Sequence, residues 1–304
     1  MAPPRSLAAL GIIPAMTPRG RRRDYLIMVE ADGLLHHEAG SYAVEKYRLV
    51  GSYADMFTTA MKDHWDCRVY LDLFAGPGHA LIRETGQRVL TSPLIALSVP
   101  NRFDNYVFCD KDEASIAALR QRVTRTAPSV AAEYLIGDVS QMFALVTAMI
   151  PQDRAGHRVL SFCFVDPFSI DLHFASIAAL AGGRSIDFLI LLALGMDANR
   201  NWQQYTRPED HRVDRFLGTE DWRSRWREAQ RRSHSPIRFL AEEYSAAMAR
   251  LGYRPMPIDT MPEIRMTGNN VPLYYLAFFS RNELGLKFWE AARRASRDQL
   301  ALPL

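Results

Sequence analysis

The segment Tyr70-Leu71-Asp72-Leu73-Phe74-Ala75-Gly76-Pro77-Gly78 leads an apolar strand into an acid and then into a tight turn with two glycines. Glycines remove Cβ atoms where backbone must approach a ligand, and Gly78 is placed to open a following helix. A nicotinamide fingerprint, Gly-x-Gly-x-x-Gly, would need a third glycine where Leu81 stands, so the turn reads against NAD. An acid at the strand end suits a ligand with an ammonium group and ribose hydroxyls, the chemistry of S-adenosylmethionine (SAM). Asp72, Phe74, Ala75, Gly76 and Gly78 are therefore the first candidate cofactor residues. The competing reading is an ordinary strand, turn and helix, because short glycine turns recur in many folds.

Open sheets bind ligands beyond the carboxyl ends of their strands, so the residues after each expected strand come next. Asp110 and Asp112 follow the second strand. A carboxylate there accepts both ribose hydroxyls, or the two acids merely lead into a helix. Asp138, after Gly137, is placed to accept an adenine amino group or to cap a helix. Val165-Asp166-Pro167-Phe168 matches the Asp-Pro-Pro-Tyr type of turn in amino-methylating enzymes, except that the second proline is missing. In that turn the acid and a backbone carbonyl hold the target nitrogen while the aromatic stacks on the target ring. Asp166, Pro167 and Phe168 are the candidate catalytic residues. Asp171 and His173 follow and could assist proton removal, although a lone loop histidine is more often structural.

Other chemistries find less support. Asp-Leu-Phe-Ala-Gly also opens the cytosine-C5 DNA methyltransferases, but their Pro-Cys nucleophile is missing and Cys163 lies inside an expected strand. His36 and His37 are adjacent, and no His-Glu-x-x-His or cysteine ligand set accompanies them. A Gly-x-x-x-x-Gly-Lys loop is absent, which argues against a P-loop NTPase. The three cysteines, Cys67, Cys109 and Cys163, are far apart and point to a reducing cytoplasm. No run approaches a membrane span, and the order of charge and apolar residues at the start is wrong for a secretory signal.

These residues need a scaffold, and 304 residues, 48% hydrophobic and 23% charged, suffice for one large α/β domain with additions. The formal charge is only +3, so any nucleic-acid contact needs a local basic patch. Residues 1–39 read as an irregular arm carrying the basic knot Arg19, Arg21, Arg22 and Arg23. Residues 40–196 read as a Rossmann-like SAM-binding core. It opens with an amphipathic helix, Tyr42 to Met61, and continues as strand and helix in rotation. That rotation predicts a doubly wound, mostly parallel sheet. Residues 197–255 read as a helical insertion or lid, and 256–304 as closing strands with a C-terminal helix. The lid interleaves arginines with aromatics, including Arg200 and Trp202, a pattern able to grip a phosphate backbone and stack on bases. Its acids offset much of that charge, so a solvated face or a protein contact fits equally well.

Taken in order, these pieces resemble the bacterial three-Cys-motif partner family, TcmP, a set read as class I SAM-dependent methyltransferases. The resemblance covers roughly Gly40 to Trp289. It rests on Tyr42 with Lys46-Tyr47, Asp72 to Gly78, Ser92-Pro93-Leu94-Ile95-Ala96-Leu97, Asp110 and Asp112, Val165 to Phe168, and Pro272-Leu273-Tyr274-Tyr275 leading to Phe279-Ser280. Thr91 stands where the family usually has glycine. The resemblance implies a SAM-binding fold and a separate partner bearing a three-cysteine, radical-SAM-like motif; it supplies no substrate. Lys46 reaches the cofactor or substrate mouth if its helix packs there. Lys46, His173, Arg200 and Trp202 are thus candidate substrate residues. Two functions compete: a methyltransferase acting on an amino nitrogen, with nucleic acid slightly ahead of peptide or metabolite, and a non-catalytic SAM-fold partner. A hydrolase lacks a coherent metal or nucleophile set.

Overall fold

The computed structural model describes residues 23–266 and 271–300, without the side chains of 297–300. A short strand β1 (His37–Ala39) precedes helix α1 (Ala43–Met61) and strand β2 (Cys67–Asp72). A hairpin follows, β3 (His79–Ile82) and β4 (Arg88–Leu90), and then α2 (Ser92–Ser98). The rotation continues with β5 (Asn105–Asp110), α3 (Glu113–Thr126), β6 (Ala131–Ile136), α4 (Val139–Met149), β7 (Val159–Val165), α5 (Phe174–Ala181) and β8 (Ser185–Leu192). A π-helical turn at Leu194–Ala198 opens the insertion, which holds α6 (Asn199–Tyr205), α7 (Arg212–Leu217), α8 (Trp222–Arg231) and α9 (Pro236–Arg250). The chain closes with β9 (Glu263–Arg265), β10 (Pro272–Phe279) and α10 (Glu283–Leu300).

Seven strands form one sheet in the order β6-β5-β2-β7-β8-β10-β9. Neighbours from β6 to β8 are parallel, and β10 runs antiparallel to both β8 and β9. From β2 the chain winds outward through β5 and β6, then returns to wind the other way through β7 and β8. Right-handed crossovers put the helices of the two halves on opposite faces, which buries both sides of the central strands. Val69, Tyr70, Leu71, Phe162, Cys163 and Phe164 are accordingly buried. On α1, Tyr47, Val50, Tyr53, Ala54, Phe57 and Met61 face the core at helical spacing, and the helix packs against α2 and α10. This is a doubly wound, Rossmann-like α/β fold with an antiparallel hairpin at one edge and a helical insertion.

Three local expectations change. Gly78 opens no helix: strand β3 follows it directly, and the next helix begins at Ser92. The glycine is needed because its φ is +92° and a Cβ would lie 2.9 Å from Leu94 Cδ1. The segment before Gly40 is docked from Arg23 onward rather than irregular. Tyr25 is buried and donates to Asp55 at 2.6 Å, Arg48 grips Asp24, Arg122 grips Asp32, and β1 pairs in parallel with β3. Arg19, Arg21 and Arg22 lie outside the described residues, while Arg23 is exposed. Finally, the first of the closing strands expected in 256–304 is short: a 3-10 turn at Ile258–Thr260 precedes the three residues of β9.

Candidate functional site

The winding direction reverses between β2 and β7, and a cavity of about 460 Å³ lies where the turns after these strands meet. That volume suits a small-molecule site. One end is built by the glycine turn. Gly76 has φ +60°, and a Cβ on it would approach the His37 ring to 3.1 Å. Asp110 ends β5 and fixes the turn: Oδ2 accepts from Gly76 N at 2.8 Å and Oδ1 from Asp112 N at 2.9 Å. Each oxygen keeps a second lone pair, and Phe74, Ala75, Gly76 and Asp110 all line the cavity.

Asp112 and Asp138 also line this end, and both cap helices. Asp112 accepts from Ala114 N, Ser115 N and the Ser115 hydroxyl at the start of α3. Asp138 accepts from Ser140 N at 2.7 Å and from its hydroxyl at the start of α4. The serine hydroxyl bonds hold both carboxyls below the usual carboxylate range. Thr91, nine-tenths buried and also lining the cavity, has a hydroxyl with no hydrogen-bond partner.

The other end belongs to the loop after β7 and to α1. Lys46 Nζ lies 2.5 Å from Asp166 Oδ2, with both side chains mostly covered. Burial alone would lower the Lys46 pKa, but the Asp166 charge and hydrogen bond overcome it and hold the ammonium above its ordinary range. Pro167 is buried, whereas Phe168 is 69% exposed at the mouth. Tyr42 and Tyr274 line the same end with ring centroids 6.2 Å apart. His173, at the N-cap position of α5, lines the cavity together with Asp171. The loop is held from outside by Asp197, whose Oδ2 accepts from Ile170 N at 2.8 Å and whose Oδ1 accepts from Tyr205 at 2.5 Å.

Four expected site residues stand elsewhere. Asp72 is fully buried and does not line the cavity: it accepts from the Tyr70 hydroxyl at 3.1 Å and from Ser92, and burial pushes its pKa up to about 7. It therefore braces the turn instead of meeting a ligand ammonium, and Ser92 serves it while Thr91 takes the N-cap position of α2. Gly78 packs under α2. Arg200 is exposed on α6, away from the cavity lining. Trp202, partly buried, packs edge-on and tilted against Trp222, Trp226 and Phe239 within the insertion. None of the residues lining this cavity comes from 197–255, so the insertion does not cover it.

The residues suit SAM. Glu38, Asp110, Asp112, Asp138, Asp166 and Asp171 line the cavity against only Lys46 and Lys111, which favours a ligand with net positive charge. Residue patterns gave no warning of His37 or Asp197. His37 arrives from β1 to sit over Gly76, and Ser115 Oγ lies 3.3 Å from its Nε2. Among the described residues, no group of three or more His, Cys, Asp or Glu is placed to hold a metal ion. No described helix is long and apolar enough to cross a membrane. The three cysteines are buried and free.

No protein-family model matches the chain, and no curated protein matches it. The likeness to the three-Cys-motif partner family therefore rests on the motifs alone. Solved structures superpose on parts of it. The O-methyltransferase TomG of Streptomyces achromogenes, in complex with SAM, is 12% identical over 76% of this chain and 79% of its own, with a TM-score of 0.41. Magnesium protoporphyrin IX methyltransferase (ChlM) of Synechocystis PCC 6803, with bound S-adenosylhomocysteine (SAH), is 10% identical over 80% of this chain and 89% of its own, at 0.39. The protein yhhF of Escherichia coli, by name a methyltransferase, is 20% identical over 46% of this chain; the match spans 65% of that protein, at 0.29. Such likenesses add nothing to what the sheet order already gives.

Proposed function

We propose that this chain is a SAM-dependent methyltransferase. The observation that carries the reading is the cavity at the reversal point. The Gly76 turn, pinned by Asp110, forms its cofactor end, and the Lys46–Asp166 pair forms its acceptor end. When bound, SAM would supply an electrophilic methyl group. The chain would hold its ribose at Asp110, admit its backbone-close portion over Gly76, and position the acceptor beside Lys46, Asp166 and Phe168.

Two finer expectations lose ground. An amino nitrogen donating to the free Oδ1 of Asp166 would stand beside the Lys46 ammonium, which already bonds Oδ2. A nucleic acid would bring its phosphates to a mouth carrying Glu38, Asp112, Asp138 and Asp171. A compact acceptor fits this cavity better than a polyanion.

Calorimetric titration with SAM and SAH tests the cofactor end. Binding in the micromolar range is expected, and it should be lost in Asp110→Ala and in Gly76→Val, where a side chain would meet His37. Retained affinity in both variants would remove the reading. The alternative, a non-catalytic partner of a three-cysteine radical-SAM-like protein, would use the exposed apolar residues Ile136, Phe143 and Leu145. Turnover by the purified chain alone would rule it out.

A further inference from the structure

We propose that the acceptor is a hydroxyl oxygen on an aromatic ring, and that Lys46 and Asp166 act on it as a pair. This assignment rests on the methyltransferase reading above. The contact between Lys46 Nζ and Asp166 Oδ2 is the one hydrogen bond that either side chain makes among the described residues. An ammonium has three donors and a carboxylate two oxygens, so the pair offers spare N–H groups next to an unbonded Oδ1. A hydroxyl answers both, accepting from Lys46 and donating to Asp166.

Lone pairs separate oxygen from nitrogen here. A hydroxyl oxygen has two: one takes the Lys46 hydrogen bond and the other stays free for the methyl carbon. A neutral amine has only one, which a bond from Lys46 would occupy, and a charged amine has none and would sit beside a second cation. In the transfer the O–CH3 bond forms as the S–CH3 bond of the sulfonium breaks. The electron pair of the broken bond stays on sulfur, and the hydroxyl proton passes to Asp166. Lys46 stabilises the negative charge that gathers on oxygen as the proton leaves.

The surroundings narrow the class. The exposed Phe168 ring and the pair Tyr42 and Tyr274 give flat apolar walls for an aromatic body. A phenol arrives neutral, yet ionises near pH 10, unlike an alcohol, so a neighbouring ammonium can bring its proton within reach of a carboxylate. Besides Asp166, the groups acting on the Lys46 charge are Tyr47 from its own helix, Tyr274 from β10 and His37 from β1.

The probe is 4-nitrophenol, whose ionisation is read by absorbance, added to SAH-loaded protein. The apparent pKa of the bound phenol should fall by about one unit or more. The shift should survive in Lys46→Arg and vanish in Lys46→Met, with SAH affinity in each variant showing that the fold is intact. The matched amine, 4-nitroaniline, should bind at least about tenfold more weakly, since it cannot satisfy Lys46 without spending its lone pair. An unshifted pKa, no saturable phenol signal, or tighter binding of the aniline, in protein that binds SAH, would overturn the oxygen assignment alone. Failure of folded protein to bind SAH would instead remove the methyltransferase reading, and this assignment with it.

Discussion

Asp72 and Asp166 come from neighbouring parallel strands, yet burial gives them different duties. Asp166 stands in the cavity with a cation beside it. Asp72, one strand over, is sealed beneath the turn, and burial pushes its pKa up to about 7 from an ordinary 3.8. Between those values the unfolded chain has lost this proton and the folded chain still holds it. The folded state therefore binds more protons, and stability falls as pH rises through that window. At about 1.4 kcal/mol per unit, the loss is on the order of a few kcal/mol. Asp72→Asn has no such proton, so urea melts at pH 4, 5.5 and 7.5 should show the wild type losing stability relative to the variant. Parallel profiles would mean that Asp72 is ionised when folded. The sequence offered both acids as ligand-facing, because strand spacing locates a strand end but does not say which side chains stay covered. Asp110, Asp166 and Phe168, which line the cavity, stand at or just after strand ends, where the sequence points to them. It does not point to His37, which reaches Gly76 from a strand 39 residues earlier and which no local pattern marks.

Elements buried on both faces left the clearest trace. The apolar runs of β2, β5, β7 and β8, alternating with helices, allowed only a parallel, doubly wound arrangement. The three-stranded sheet β1-β3-β4 left almost none. Two of its strands have three residues and the other has four, and one is contributed by a distant segment, so neither alternation nor length could announce it. Its consequence is functional, because it brings β1, with His37, across the glycine turn. The join between β8 and the insertion is also illegible in the sequence. There Gly195 lies so close to β10 that a Cβ would be 2.0 Å from the Pro272 carbonyl oxygen. Backbone cannot swing aside as a side chain can, so Gly195→Ala should destabilise the protein by about 3 kcal/mol or more, the upper end of overpacking costs. A melting temperature within a degree or two of wild type would show that β10 can move away from the turn.

Arginine and tryptophan crowd the insertion, but the fold uses many of them internally. Asp214 alone gathers Trp222 Nε1, Arg223 and His211, while Arg225 binds Glu243 and Arg238 binds Glu242 and Asp259. Composition could not distinguish this from a nucleic-acid grip, because both need cations beside aromatics. The difference lies in which acids fold back onto the arginines, a tertiary fact. The insertion packs against α5 through α7 and against β10 through Tyr244 of α9, and it lines none of the cavity. Trp202 tests whether the insertion acts on the cavity. Its ring touches Trp222, Trp226 and Phe239 with centroids 4.9 to 6.4 Å away, so Trp202→Ala removes the centre of an aromatic cluster. A loss of about 3 kcal/mol is expected in urea unfolding, at the low end for such truncations because the side chain is only partly buried. SAH affinity, measured below the unfolding transition, should change less than about twofold, as no lining residue belongs to the insertion. A tenfold loss of SAH affinity in folded Trp202→Ala would show that the insertion shapes the cavity through Asp197, which holds the loop after β7 through Ile170.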